Sequence, residues 1–318
     1  MILVTGATGF VGSALVRKLA TGPVPVRACI RRSKAVMPEG VQVMHVGSLS
    51  ADTDWREALS AVAVVVHTAA RVHVMDDNAV DPLAAFRSIN VEGTLSLARQ
   101  AAAAGVKRFV FLSSIKVNGE ATTPGNPFQA DDIPAPLDPY GVSKMEAERG
   151  LWEIADQTGM EVVIIRPPLV YGPGVKANFD AMMKWLSRGI PLPLGAIHNA
   201  RSLVAIDNLI ALIEACVDHP AAANQIFLVS DGEDLSTTQL LQRMGWALGR
   251  PARLVNVPAI LLRMGATALG KSSIAQRLCG SLQVDISRTQ EILAWSPPVS
   301  VDEGLRRVAE GYRREASV

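Results

Sequence analysis

The stretch Met1-Ile2-Leu3-Val4-Thr5-Gly6-Ala7-Thr8-Gly9-Phe10-Val11-Gly12 constrains this chain more than any other. An apolar, partly β-branched run enters glycines at 6, 9 and 12, and Ser13-Ala14-Leu15-Val16-Arg17-Lys18-Leu19 then continues at helical spacing. The pattern predicts a strand, a tight turn and a helix start. The first N–H groups of a helix lack backbone partners and carry partial positive charge, so a phosphate can sit there. Glycine allows positive φ and a close approach by an anionic ligand. The chain has 25 glycines, so position carries the signal: this set follows an apolar strand and opens a helix, as a dinucleotide site requires.

At 318 residues the chain is long enough for a substantial core. Lys+Arg 31 against Asp+Glu 30 leaves a formal charge of +1, which exerts no global pull on nucleic acid. Cys29, Cys216 and Cys279 are far apart and form no C-x-x-C pair. They read as small apolar fillers in a reducing, cytoplasmic setting. No signal peptide is expected before the first strand. The apolar run Val257 to Leu269 is interrupted by Pro258, Arg263 and Gly265. It is too short for a membrane span and is expected to be a packed helix, over the substrate site or at an interface. His45, His67, His73, His198 and His219 lack ligand spacing, so no metal is expected.

Further strands are expected at Pro25–Ile30, Val41–Val46, Ala61–Ala70, Val106–Leu112 and Glu161–Ile165. The nearly continuous apolar run of the fourth is typical of a parallel strand buried on both faces. Helices are expected from Ala84 to Ala104 and from Tyr140 to Ala155, with a proline-rich loop over Glu120–Pro139. This alternation predicts an α/β fold with a doubly wound parallel sheet. Residues 1–166 are expected to form its dinucleotide-binding domain. From Pro167 the rhythm breaks, so 167–318 is expected to be a smaller, irregular substrate lobe. A segment near 201–230, including the strand Gln225–Val229, is expected to return to the sheet.

Tyr140 and Lys144, four apart, share a helix face. An ammonium beside a phenol is expected to lower the phenol's pKa and make it a general acid/base for hydroxyl–carbonyl chemistry. Ser113-Ser114 ends the fifth strand, at the sheet edge where ligands bind in open α/β folds.

These segments occur in order with His67-x-Ala69-Ala70, Asn90-Val91-x-Gly93-Thr94 and Arg166-Pro167-x-x-Val170-Tyr171-Gly172-Pro173-Gly174. Together with Arg201–Leu209, Asp285–Arg288 and Leu293–Pro297, the set resembles the extended short-chain dehydrogenase/reductase family of nucleotide-sugar epimerases, dehydratases and reductases. The resemblance spans nearly the whole chain and implies a Rossmann-type domain. It implies Tyr140 as acid/base, Lys144 on the nicotinamide ribose and Ser114, five residues before Gly119, on the reacting sugar oxygen. It places Asn90 as a buttress, and Pro167 to Val170 against the carboxamide. Gly6, Thr8, Gly9, Phe10, Val11, Gly12, Leu49, Ala69, Ala70 and Arg71 complete the implied cofactor cradle. Arg201 and Arg277 would grip the nucleotide diphosphate, with Asn178 a further contact. His67 would be structural, and a homodimer would form through the two long helices.

Two departures refine this expectation. The second strand ends in Arg31-Arg32, where NAD-binding relatives carry an acid, and Gly47-Ser48-Leu49 replaces the acid after the third. Arginine suits a 2′-phosphate, so NADP is favoured over NAD. Ser114-Ile115-Lys116 lacks the Asp-Glu pair of sugar dehydratases, so elimination has no acid/base pair; Lys116 is read as an exposed loop lysine. The favoured activity is hydride reduction at C4 of a UDP-4-keto-6-deoxy-N-acetylhexosamine. The alternatives are a UDP-sugar 4-epimerase that retains its NAD and a non-catalytic NADP sensor or scaffold.

Overall fold

The computed structural model describes residues 1–31, 35–72, 81–175 and 178–315; the side chains of Asn178, Ser272, Ser273 and Glu315 are outside that description. Seven parallel strands make the main sheet in the order β3-β2-β1-β4-β5-β6-β9. These are β1 (Ile2–Thr5), β2 (Val26–Ile30), β3 (Gln42–His45), β4 (Val64–His67), β5 (Arg108–Leu112), β6 (Glu161–Arg166) and β9 (Gln225–Leu228). A second, three-stranded sheet has the order β10-β8-β7, with β7 (Leu169–Tyr171), β8 (Arg201–Ala205) and β10 (Asp234–Leu235). Of the late segment, β9 therefore lies beside β6, while β8 belongs to the small sheet.

Helices cover both faces, as an α/β sheet with two apolar sides demands. On one face Leu15, Val16 and Leu19 of helix Phe10–Leu19 pack with Leu209, Leu212, Ile213 and Cys216 of helix Ile206–Asp218. On the other, Leu97, Ala98 and Ala101 pack with Ala147, Leu151 and Ile154 of helix Pro139–Thr158 around Phe109 and Phe111. A third cluster, around Tyr171, Phe179 and Leu241, fills the C-terminal lobe.

The helix expected over Ala84–Ala104 begins at Pro82, capped by Asp81, and passes through a π-helical turn at Ser88–Gly93. Such a turn inserts one residue per turn and often marks a functional position; Asn90 lies within it. Helix Ala259–Ala268 occupies the apolar run: Ala259 and Leu262 pack against the third cluster, while none of its residues is fully buried.

His67 is fully enclosed beneath this sheet edge. Its Nδ1 lies 2.6 Å from Thr5 Oγ1 and its Nε2 2.9 Å from Thr94 Oγ1. Burial, with the Lys144 charge as a second cause, pushes its pKa down to about 3, so it is neutral in the fold. Below pH 6.5 the unfolded chain binds a proton that the folded chain rejects, so stability falls as pH falls toward about 3. Replacing His67 by Gln should therefore flatten the acid limb of a urea-denaturation series. The wild type is expected to lose up to about 1.4 kcal/mol per pH unit more than the variant between these limits. Equal slopes would show that His67 is not buried neutral.

Candidate active site

The glycine turn is built by steric exclusion. Gly6 has φ of +68°, and a Cβ there would lie 2.7 Å from Ala69 N. A Cβ on Gly12 would come within 2.2 Å of Gly6 O, so helix and turn approach as only glycine permits. Gly9 stands at the N-cap of helix Phe10–Leu19 with no side-chain cap, leaving first-turn N–H groups free for an anion. Thr8 is exposed, Phe10 and Val11 are half-buried, and Phe10 reaches toward Gly172. A dinucleotide's pyrophosphate fits this cradle.

The remaining implied cofactor residues lie along the same sheet edge. Ala69 and Ala70 follow β4, with Ala69 against Gly6. Asn90 accepts from Arg71 N at 2.8 Å and donates to Arg71 O and to Ser143 Oγ, both at 3.0 Å. One buried amide thus ties the chain after β4 to helix Pro139–Thr158. Pro167 accepts from Ile115 N at 3.0 Å, and Val170 follows on β7. Leu49 packs against Gly93. Arg31 is exposed at the end of β2, while Arg32 lies outside the described residues.

The two serines have different environments. Ser113 is buried and donates to Glu148, whereas half-buried Ser114 accepts from Lys116 N at 3.3 Å and lies close enough to the Tyr140 phenol to lower its pKa. Lys144 Nζ donates to Leu112 O at 2.8 Å and lies 4.2 Å from the Phe111 ring centroid. Burial lowers its pKa to about 7, opposed by the Glu148 charge.

The expected lowering of the Tyr140 pKa does not occur. Desolvation, then the Asp138 carboxylate, pushes the phenol up to about 12, with the Ser114 hydrogen bond acting the other way. The reason is geometric: Lys144 points its ammonium at the end of β5. Lys116 is also not a solvated loop lysine. It is paired with Glu120 at 3.2 Å and with Asp138, the cap of the Tyr140 helix. This clasp joins the Ser114 turn to the Tyr140 helix.

In the C-terminal lobe, Arg201 Nη1 donates to Arg277 O at 2.9 Å and to Gly280 O at 3.1 Å, and burial lowers its pKa. The Arg277 side chain is exposed nearby, and the Asn178 side chain is outside the described residues. A cleft of about 1010 Å³ opens there, between Thr122, the 196–199 segment and helices Ala259–Ala268 and Ser272–Cys279. Among the described residues no cluster of three His, Cys, Asp or Glu could hold a metal.

A family model described as the NAD-dependent epimerase/dehydratase family matches residues 2–230. The chain belongs to that family. Members of it are NAD-binding enzymes, and the glycine cradle described above fits that cofactor. A Vibrio cholerae protein named UDP-glucose 4-epimerase is 50% identical over 98% of this chain and 95% of its own length. Among solved structures, a Thermotoga maritima UDP-glucose 4-epimerase with UDP-glucose shares the fold at TM-score 0.78, 23% identity and 99% of each chain. A Bacillus cereus UDP-glucuronic acid 4-epimerase with NAD does so at TM-score 0.79, 22% identity and 98% of each chain.

Glu148 belongs to no sequence motif, and its one signal is its spacing, four after Lys144 on the same helix face. It forms a buried ion pair with Arg166 at 2.6 Å while accepting from Ser113. Arg166 also donates to Asn118 Oδ1 at 3.0 Å. Glu148→Gln would leave the Arg166 charge uncompensated. It is expected to lower unfolding free energy by about 3 kcal/mol or more in urea titrations, and Glu148→Gln with Arg166→Met should recover part of that loss. A single-variant loss below about 1 kcal/mol would contradict a dry, structural pair.

Proposed function

We propose that this family member transfers hydride at C4 of a UDP-sugar, with Tyr140 moving the proton at the sugar oxygen. The observation that carries the reading is Ser114 beside the Tyr140 phenol, close enough to act on its pKa, with Lys144 one helical turn along, at the sheet edge that holds the glycine cradle. When bound, the nicotinamide supplies or accepts the hydride. Gly6, Gly9, Gly12 and the first turn of helix Phe10–Leu19 hold the pyrophosphate. Lys144 would take the ribose hydroxyls, and Pro167 and Val170 would face the carboxamide. Asn90 holds the catalytic helix in register through Ser143.

Ser114 orients the sugar oxygen and passes its proton to or from Tyr140. A phenol held up to about 12 is protonated at neutral pH, so the resting site is set to donate a proton to a developing alkoxide. Arg201 and Arg277 take the diphosphate. The chain lacks a carboxylate pair after Ser114, and Lys116 is already ion-paired, which supports redox chemistry over elimination.

Two reactions share this machinery. Four-epimerisation, in which oxidation and re-reduction occur in one site, is supported by the name of the 50% identical relative. One-way reduction of a UDP-4-keto-6-deoxy-N-acetylhexosamine is supported by Arg31 at the end of β2, which suits the 2′-phosphate of NADP. A reducing, cytoplasmic setting agrees with three buried free thiols. A homodimer would pair the 82–103 and 139–158 helices.

Incubation with UDP-glucose, without added reductant, should yield UDP-galactose if the cycle is closed. NADPH oxidation at 340 nm with a UDP-4-keto-6-deoxy sugar would instead establish reduction. Neither activity would leave the sensor reading and overturn ours. In whichever assay is positive, Tyr140→Phe should cost about 10²–10⁴-fold in kcat while cofactor binding persists. If Arg31 receives a 2′-phosphate, Arg31→Glu should weaken NADP at least about tenfold in fluorescence titrations and leave NAD within about twofold. Equal loss for both cofactors would remove Arg31 from that role.

A further inference from the structure

Helix Ala259–Ala268 reverses the usual polarity of a surface helix. Ile260, Leu261 and Met264 are 67%, 55% and 64% exposed, and Leu269, just beyond its end, is 75% exposed. At 100° per residue, Ile260, Met264, Ala268 and Leu261 fall within an arc of about 100°, with Ile260 at the rim of the cleft, whereas Leu262 and Ala266 turn toward the lobe. Ile274 on the following helix is also exposed, at 49%. Large apolar side chains exposed together on one short segment mark a contact that the isolated chain does not satisfy.

Charge selects the occupant. Between Asp234 and Asp285 the chain carries Arg243, Arg250, Arg253, Arg263, Lys271 and Arg277 but no acid. Arg243 is spent on Glu233 and Asp302. Arg253 and Lys271 are exposed, and Lys271 lies in the turn between the two helices. A two-fold contact with a second copy would set this cationic segment against itself. An anionic bilayer answers both features, accepting apolar side chains below its headgroups and attracting cations beside them.

We propose that helices Ala259–Ala268 and Ser272–Cys279 form a reversible docking element for an anionic lipid surface. This is docking and not insertion: among the described residues no helix is long and apolar enough to cross a membrane. The same two helices wall the cleft of about 1010 Å³, so docking would bring the mouth of that cleft to the bilayer. The inference does not depend on which sugar reaction occurs.

The test is co-sedimentation of the full chain with vesicles of phosphatidylcholine alone and of phosphatidylcholine with phosphatidylglycerol. The wild type should partition at least about tenfold more strongly to the anionic vesicles and be released by high salt. Leu261→Ser with Met264→Ser and Leu269→Ser should abolish binding while leaving the melting curve unchanged, because these side chains are exposed. Lys271→Glu should weaken binding without removing the apolar face. Wild type that ignores anionic vesicles overturns the proposal, as does a triple variant that binds equally well. A triple variant that instead converts a dimer to a monomer, with no vesicle binding by the wild type, assigns the face to a second copy.

Discussion

The buried Glu148–Arg166 pair is the interaction on which the arrangement of the site depends. It joins the middle of helix Pro139–Thr158 to the end of β6, and Glu148 also accepts from Ser113 at the end of β5. Taking both charges out of water is costly unless their remaining donors and acceptors are met. Here Asn118 and Ser113 meet them. The same carboxylate supports the charged form of Lys144 against burial. One ion pair thus fixes where Tyr140, Lys144 and the two serines stand relative to the sheet.

Around that anchor, the site is assembled from contacts of very different kinds. Backbone proximity at Gly6 and Gly12 shapes the anion cradle, and an amide at Asn90 ties it to the helix. Lys116 and Asp138 hold the Ser114 turn to the N-terminus of the Tyr140 helix. The C-terminal lobe is tied to the loop after Gly119 by Thr122 with Ser281 and by Phe128 with Gln283. This brings Arg201 and the cleft to the side of the molecule where the loop lies. Buried Asp231 performs a comparable task within the lobe, accepting from Tyr171, Asn208 and the Ala205 N–H.

Much of the fold was legible because the main sheet obeys local rules. Apolar runs of four to six residues alternate with helical spacing through β6, and those strands pair in parallel. The solvent face of β3 and the π-helical turn at Ser88–Gly93 were not legible, since edge position and helix winding depend on neighbours. The apolar run at 257–269 was legible as a helix, but which of its side chains pack depends on the lobe beneath it: Ala259 and Leu262 pack there, while Ile260, Leu261 and Met264 stay exposed.

By itself the sequence determined the order of elements, the glycine turn and the spacing of Tyr140 and Lys144, because these follow from steric limits and helical periodicity within a few residues. Only tertiary structure decided the electrostatics. Whether the phenol rises or falls depends on where the ammonium points and how much water remains, and Leu112, Asp138 and Ser114 are the groups that set it. Likewise, Lys116 became a clasp because the fold brought Asp138 to it from twenty-two residues away. Short-range geometry is written along the chain, whereas the sign of a pKa shift is a property of the space the chain encloses.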